Sequence, residues 1–179
     1  MTQITAKEFY SKLEKEGIAQ DSLQALVVET LKAKSKKVAT AESCTGGYVS
    51  KRITDISGSA DVFECGICSY ANRIKHKLLG VENDTLDAFG AVSPETAEQM
   101  ARGVRELAGA DYGVSTTGIA GPTGGTEDKP VGLVYMAVSS ENGTEVIRAT
   151  LSDAEDNSRE GIRKTASSVI LYFLYKSIR

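Results

Sequence analysis

Ala39-Thr40-Ala41-Glu42-Ser43-Cys44-Thr45-Gly46-Gly47 (ATAESCTGG) is the stretch that decides the fold. An apolar, strand-like approach through Val38 and Ala39 delivers two adjacent potential nucleophiles, Ser43 and Cys44, into a Thr-Gly-Gly turn that opens a helix. Strand-to-helix junctions of this kind are the building unit of α/β domains. A nucleophile placed there sits beside unpaired backbone N–H groups and the positive end of the helix dipole, which favour an oxyanion or a phosphate. A plain helix cap uses the same residue types, because Ser and Thr cap helices and glycines populate turns.

On either side of that turn the chain alternates between two periods. Residues 5–16 and 21–35 carry helical periodicity, the second with Asp21 as N-cap and Leu23, Leu26, Val27, Thr30 and Leu31 along one face. A strand is expected near Lys37–Ala41, then a helix over Tyr48–Thr54 that stops at Ser57-Gly58-Ser59. Val62–Tyr70 (VFECGICSY) reads as a buried strand and Asn72–Leu79 as a short helix closed by Gly80. Ser93-Pro94-Glu95 starts a helix to about Leu107, with a capping Ser, Pro at the first helical position and Glu in the first turn. Asp111–Thr117 is a strand that empties into the glycine-dense loop Gly118–Gly125 (GIAGPTGG). Val131–Ser139 and Glu145–Leu151 are strands joined across Glu141-Asn142-Gly143, where Asn-Gly signals a hairpin. A long amphipathic helix from about Asn157 to Ile178 closes the order. This succession predicts a three-layer α/β/α sandwich whose sheet is mixed but mostly parallel and includes an antiparallel hairpin.

The 179 residues suit one domain with a sizeable core. With 41% hydrophobic and 25% charged residues, the balance is that of a globular chain rather than a disordered one. A net charge of −3 gives no footprint for bulk nucleic-acid binding, though a local basic pocket for one phosphate is compatible with it. No apolar run approaches the roughly 20 residues of a membrane span, and the charged N-terminus lacks a signal-peptide core. The expectation is a cytoplasmic protein that does not engage membranes. Three cysteines, an odd number, do not make a disulfide framework and agree with a reducing compartment.

Two glycine-rich turns follow two expected strands, Thr45-Gly46-Gly47 and Gly118 through Gly125. Ligands of open α/β sheets bind beyond the carboxyl ends of strands, so both turns are candidates for one crevice. The second is no Walker A loop, since Thr126 stands where the second Gly would follow Gly121, and it lacks the Gly-x-Gly-x-x-Gly fingerprint. Small residues still let N–H groups approach an anion closely. Cys65 and Cys68 lie three apart in a strand, facing opposite sides, which argues against a shared metal with Cys44 and His76. His76 is the single histidine and lies in the polar Arg73–Leu79 segment, so a base for Ser43 is more readily a lysine. Lys75 and Tyr70 flank the end of the Val62–Tyr70 strand. A lysine works as base near neutral pH only if its pKa is depressed; the bland alternative is a solvated helix face shared with Lys77.

Four segments in register, ATAESCTGG, SYANRIKHKLLGV, FGAVSPETA and STTGIAGPTGG, resemble the nicotinamide-nucleotide amidohydrolase family, also called the CinA C-terminal domain family. The resemblance spans about residues 20 to 175 and makes the first 20 residues a helical extension that the minimal domain, here 21–179, lacks. It implies hydrolysis of the carboxamide of nicotinamide mononucleotide to nicotinate mononucleotide and ammonia, within bacterial pyridine-nucleotide recycling, with neither metal nor organic cofactor. Ser43 matches the nucleophile of the Glu-Ser-x-Thr-Gly-Gly motif, which makes Cys44 a bystander, and Tyr70 and Lys75 match the Tyr-x-Asn-x-x-Lys segment that works with it. Thr45, Gly46 and Gly47, with Thr117, Gly118 and Gly121 of the Thr-Gly-Ile-Ala-Gly-Pro motif, are expected to bind substrate, and N–H groups of the Ser43–Gly47 turn are expected to meet the oxyanion. Arg159 aligns with the arginine that opens the last helix; Asn157-Ser158-Arg159 replaces the usual Gly-Asp-Arg, and Arg163, one turn on, competes for the role. Two alternatives stand beside this reading: a nucleotide-binding protein without turnover, and an amidohydrolase for a different amide. The apolar run Val169–Tyr175 suits core packing and is also compatible with a homodimer through helical faces.

Overall fold

Strands β1 (Thr2–Thr5), β2 (Val38–Glu42), β3 (Phe63–Cys68), β4 (Tyr112–Gly118), β5 (Leu133–Ser140) and β6 (Gly143–Thr150) share one sheet, ordered β1-β6-β5-β4-β2-β3. Only β5 runs against the others, so the sheet is mixed and mostly parallel, with β5 and β6 as its hairpin. The structure is a computed structural model describing residues 1–179. Helices α1 (Ala6–Glu16), α2 (Leu23–Ala33), α3 (Tyr48–Thr54) and α7 (Arg159–Ile178) cover one face, around a core that includes Phe9, Leu31, Ile53 and Ile170. Helices α4 (Asn72–Leu79), α5 (Asn83–Phe89) and α6 (Pro94–Ala108) cover the other, over a smaller cluster with Ala39, Ala41, Leu79 and Met100. The result is the expected three-layer sandwich.

Alternation along β2 shows how the sequence serves both layers. Ala39 and Ala41 join the α6-side cluster, while Val38, Thr40 and Glu42 turn to the α3 side, where Thr40 shares a hydrogen bond with Ser50. The strand runs one residue past its expected end, to Glu42. β3 is an edge strand rather than a buried one: Phe63, Cys65 and Ile67 are half-buried, while Glu64, Gly66 and Cys68 are exposed. The alternating pattern of a one-sided strand is already present in Glu64 and Gly66. Cys65 packs toward α6 and Cys68 lies on the opposite side near Gly47, as strand geometry requires.

Several ends differ from expectation for local reasons. Asp21 does not cap α2; it lies in a 3₁₀ turn, Gln20–Ser22, and α2 starts at Leu23 without a side-chain cap. Thr5 and Glu8 form a reciprocal capping box that starts α1, and the residues before it pair as β1 with β6. Residues 1–20 are therefore not a purely helical appendage, since β1 extends the sheet and Phe9 and Leu13 enter the main core. Helix α5 carries only two buried anchors, Thr85 and Leu86, too few to register as a period. Ser93 caps α6 by accepting from the Thr96 N–H, as its sequence announces. In the hairpin, Ser140 pairs with Gly143 and only Gly143 takes a positive φ, so Asn142 is not in the left-handed position that Asn-Gly turns often use. Of the run Val169–Tyr175, Val169–Leu174 are buried in the chain's own core and Tyr175 is half-buried against it, the core packing that its composition suits.

Candidate active site

The carboxyl ends of β2, β3 and β4 lie side by side, and the start of α7 joins them after β6. In the parallel register Glu42 pairs with both Cys68 and Thr116, so the turn after Glu42 emerges between the two neighbouring strand ends. The Ser43 N–H donates to the Thr116 carbonyl at 2.9 Å, and the Ser69 N–H donates to the Glu42 carbonyl at 2.8 Å. These bonds extend the sheet just far enough to fix Ser43 at its edge.

Lys75 reaches this point from the first turn of α4. It is fully buried, and its Nζ donates to the Ser69 carbonyl at 2.7 Å, to Ser43 Oγ at 3.0 Å and to the Tyr70 carbonyl at 3.3 Å. The solvated-face alternative fails here, because the amine is turned into the sheet end. Burial lowers its pKa by penalising the ammonium, with a smaller opposing contribution from Cys44. The two carbonyls absorb N–H donors only, so a neutral amine must point its lone pair at Ser43 Oγ. That orientation is the one a general base for Ser43 needs.

Cys44 shares the turn but not the chemistry. Its thiol is buried in the main core, and burial pushes its pKa up to about 12, so little thiolate exists near neutrality.

Glu42, to which sequence reasoning gave no role, organises the turn from the other side of the sheet. Its buried carboxylate accepts from the Thr45 hydroxyl at 2.6 Å, from the N–H groups of Gly47 and Val49 at 3.0 Å each, and from the Ser50 N–H and hydroxyl at 2.8 and 2.6 Å. These bonds narrow the oxyanion donors expected in the Ser43–Gly47 turn and take Gly46 and Gly47 out of that role. Gly47 gives its N–H to Glu42, Gly46 gives its own to the Ser43 carbonyl, and the Thr45 hydroxyl is held between Glu42 and Thr116. The N–H groups of Cys44 and Thr45 have no oxygen acceptor; both face the Cys44 thiol, a weak acceptor, and are the donors left over. A carboxylate in a strand, one residue before a Ser-x-Thr-Gly-Gly turn, was the signal available in the sequence.

The remaining expected residues divide into two groups. Thr117 is buried and its hydroxyl donates to the Ala91 carbonyl at 2.6 Å, so it holds the segment before α6 rather than presenting a free donor. Gly118 is the last residue of β4, and a Cβ there would come within 2.6 Å of the Leu133 carbonyl oxygen. Thr117 is thus held by its hydrogen bond, and Gly118 lets β4 pack closely against β5. Arg159, by contrast, bridges the site mouth, donating to the Gly121 carbonyl at 2.8 Å and to the Tyr70 hydroxyl at 2.9 Å. Both partners are neutral and no carboxylate pairs with its guanidinium. Arg163 instead donates twice to the Thr45 carbonyl, at 3.2 and 2.8 Å, and pairs with Glu160 at 3.1 Å, so its charge is already matched. Ser158 caps α7 by accepting from the Gly161 N–H, the task an Asp at that position could also perform. The Tyr70 side chain is 64% exposed at the mouth, and only its carbonyl meets Lys75. His76 is exposed and its Nδ1 faces the Val81 carbonyl at 2.8 Å, away from Ser43.

A three-layer α/β domain with a serine–lysine pair at the carboxyl edge of its parallel strands is the class that this geometry defines. The chain belongs to the CinA C-terminal domain family, whose model matches residues 20–178. It is 49% identical over 158 residues to a CinA-like protein of Desulfovibrio desulfuricans, a match covering 88% of this chain and 37% of that protein. It is 48% identical over 143 residues to a putative competence-damage inducible protein of Caldanaerobacter subterraneus subsp. tengcongensis, covering 80% and 35%. The chain thus spans about a third of the length of the curated relatives it matches. Among solved structures, the competence/damage inducible protein CihA from Agrobacterium tumefaciens superposes with a TM-score of 0.84 at 38% identity, covering 89% of this chain and 94% of that one. No helix is long and apolar enough to cross a membrane.

Proposed function

We propose that this chain is a serine amidohydrolase that converts nicotinamide mononucleotide to nicotinate mononucleotide and ammonia through an acyl-enzyme on Ser43. The observation that carries the reading is the buried Lys75 amine 3.0 Å from Ser43 Oγ, its other contacts being main-chain carbonyls. A carboxamide is a poor electrophile, and a covalent intermediate divides its hydrolysis into two easier steps. Neutral Lys75 takes the Ser43 proton as Oγ bonds to the carboxamide carbon, and the developing oxyanion is met by the Cys44 and Thr45 N–H groups. A hole of this kind contributes a few kcal/mol. Lys75 then passes the proton to the departing nitrogen, the C–N bond breaks and ammonia leaves. Water, deprotonated by Lys75, cleaves the ester and restores Ser43. Arg159, a cation without a carboxylate partner at the mouth, is the donor for the nucleotide phosphate, with the Tyr70 hydroxyl beside it.

The test is ammonia release from nicotinamide mononucleotide by the purified protein and its Ser43→Ala variant, with a chelator present. Turnover that survives the chelator and disappears in the variant supports the reading. Mononucleotide binding without ammonia release would make the protein a nucleotide binder, and preference for free nicotinamide or glutamine would move the activity to a different amide.

A further inference from the structure

Ser69 carries a buried hydroxyl with no hydrogen-bond partner, directly beside the serine–lysine pair. Its main chain is fully used: the N–H donates to the Glu42 carbonyl at 2.8 Å and the carbonyl accepts from Lys75 Nζ at 2.7 Å. Strand alternation sets where the side chain lies. Cys65 and Ile67 face the α6-side cluster with Ala39 and Ala41, and the register Glu42 to Cys68 places Ser43 and Ser69 next to each other one step beyond the paired ends. Ser69 therefore continues the face on which Lys75 meets Ser43. An unpaired buried hydroxyl is destabilising in the resting protein. Full burial closes it to any ligand, so the partner must be internal, and the Lys75 amine, bonded to Ser69's own carbonyl, is the polar group at hand.

We propose that Ser69 is a positioning residue for Lys75, its hydroxyl being the reserve partner that holds the amine while Ser43 Oγ is tied up as an ester. The inference rests on the serine–lysine reading of the site. In the resting state the three donors of a Lys75 ammonium have three acceptors: the Ser69 carbonyl, the Tyr70 carbonyl and Ser43 Oγ. Once Ser43 is acylated, its oxygen is an ester oxygen and a poor acceptor. Rotation about the Ser69 Cα–Cβ bond brings a hydroxyl oxygen that accepts the third N–H of the ammonium and leaves the lone pair of the neutral amine free. The lysine then stays aimed at the ester, where the attacking water must lose its proton. Of the titratable groups in the elements packed round Lys75, Cys44 alone perturbs it electrostatically. Glu42 turns to the other side of the sheet, the Tyr70 hydroxyl is bonded to Arg159, and the His76 ring faces the Val81 carbonyl.

The experiment is a double-mutant cycle read on Lys75 itself. Protein carrying ¹³C-labelled lysine is titrated by NMR as wild type, Ser69→Ala, Ser43→Ala and the double variant, with the Lys75 signal assigned by its loss in Lys75→Met. Ser69→Ala alone should move the Lys75 pKa little. In the Ser43→Ala background, where the third donor has lost its resting acceptor, it should lower that pKa by about one unit, the size expected of one hydrogen bond to a charged group. Ser69→Thr, which keeps the hydroxyl, should cancel that drop. Melting temperature supplies a second readout: loss of an orphaned hydroxyl should leave Ser69→Ala at least as stable as wild type. An equal or absent Ser69→Ala effect in the two backgrounds overturns the proposal, as does a lower melting temperature. Because the titration needs no substrate, a protein inactive on nicotinamide mononucleotide could still show the coupling, and the two readings fail separately.

Discussion

Lys75 illustrates how one side chain's burial becomes a pH dependence. Its folded-state pKa lies below the ordinary 10.5 because the ammonium is desolvated. Between the folded-state value and about 10.5 the unfolded chain binds a proton that the folded chain does not. Stability therefore rises with pH across that window, and the deficit is constant below it. Lys75→Met removes the titration. The stability of wild type relative to Lys75→Met should thus increase as pH is raised toward about 10.5, followed by urea unfolding at several pH values. The difference cancels the pH-independent cost of leaving the Ser69 and Tyr70 carbonyls without their donor. A flat difference would mean that Lys75 is solvated in the folded protein. Turnover should depend on the same group with the matching sign, falling as pH drops through the Lys75 pKa, because only the neutral amine can take the Ser43 proton.

At the scale of the element, the turn into α3 depends on Glu42 more than on the helix it opens. α3 has seven residues, too few to hold itself in water, and its first N–H groups end on a carboxylate supplied by the preceding strand. Glu42→Gln puts an NH₂ group against those donors and removes the charge. Stability should fall by about 2–4 kcal/mol, the loss of one or two hydrogen bonds to a charged acceptor. Denaturant unfolding measures this, and a change under 0.5 kcal/mol or so, the usual range of exposed sites, would show that the carboxylate is not what holds the turn. The same element shows what the sequence could reveal. α3, α4 and the start of α6 were legible because Gly47, Gly80 and Ser93-Pro94 punctuate them locally. Ser43 was a candidate from its place at a strand-to-helix turn, which a plain cap explains as well, and Lys75 and Tyr70 were candidates from their place at the next strand end; it was family resemblance that gave these residues and Arg159 their roles. What stayed hidden was set by partners distant in sequence. Thr117 and Ala91 are 26 positions apart, and Arg159 and Tyr70 are 89 apart. Glu42 had a local signal in its place just before the turn, but nothing local in Ser69 announces a hydroxyl enclosed beside the serine–lysine pair.

The whole molecule poses a question that the family match leaves open, because the match begins at residue 20 while the fold begins at residue 2. β1 covers the free edge of β6, and Ile4, Phe9 and Leu13 fill the main core beside Tyr172, whose ring meets Phe9 edge-on at 5.9 Å. Asp153, in the loop after β6, accepts from the Ala6 N–H at 2.9 Å, and Tyr10 shares a hydrogen bond with Thr165 at 2.9 Å. Gln20 reaches Ser168 and, through its carbonyl, the buried guanidinium of Arg52, which ties α3 to α7. Through Tyr10 and Thr165, and through Glu16, which accepts from the Tyr172 hydroxyl at 2.7 Å, residues 1–19 are fastened to the helix that carries Arg159, yet they contribute no side chain to the site. Their removal should cost stability before it costs chemistry. Phe9→Ala alone should lower the unfolding free energy by about 3–5 kcal/mol, as for other fully buried aromatic side chains. Deletion of residues 1–19 should cost more and leave the β6 edge open to association. Urea midpoints and light scattering measure the two effects. A truncated chain that kept the midpoint and the scattering of the full chain would show that residues 20–179 close their own core, and would make the added strand and helix a passenger rather than part of the fold.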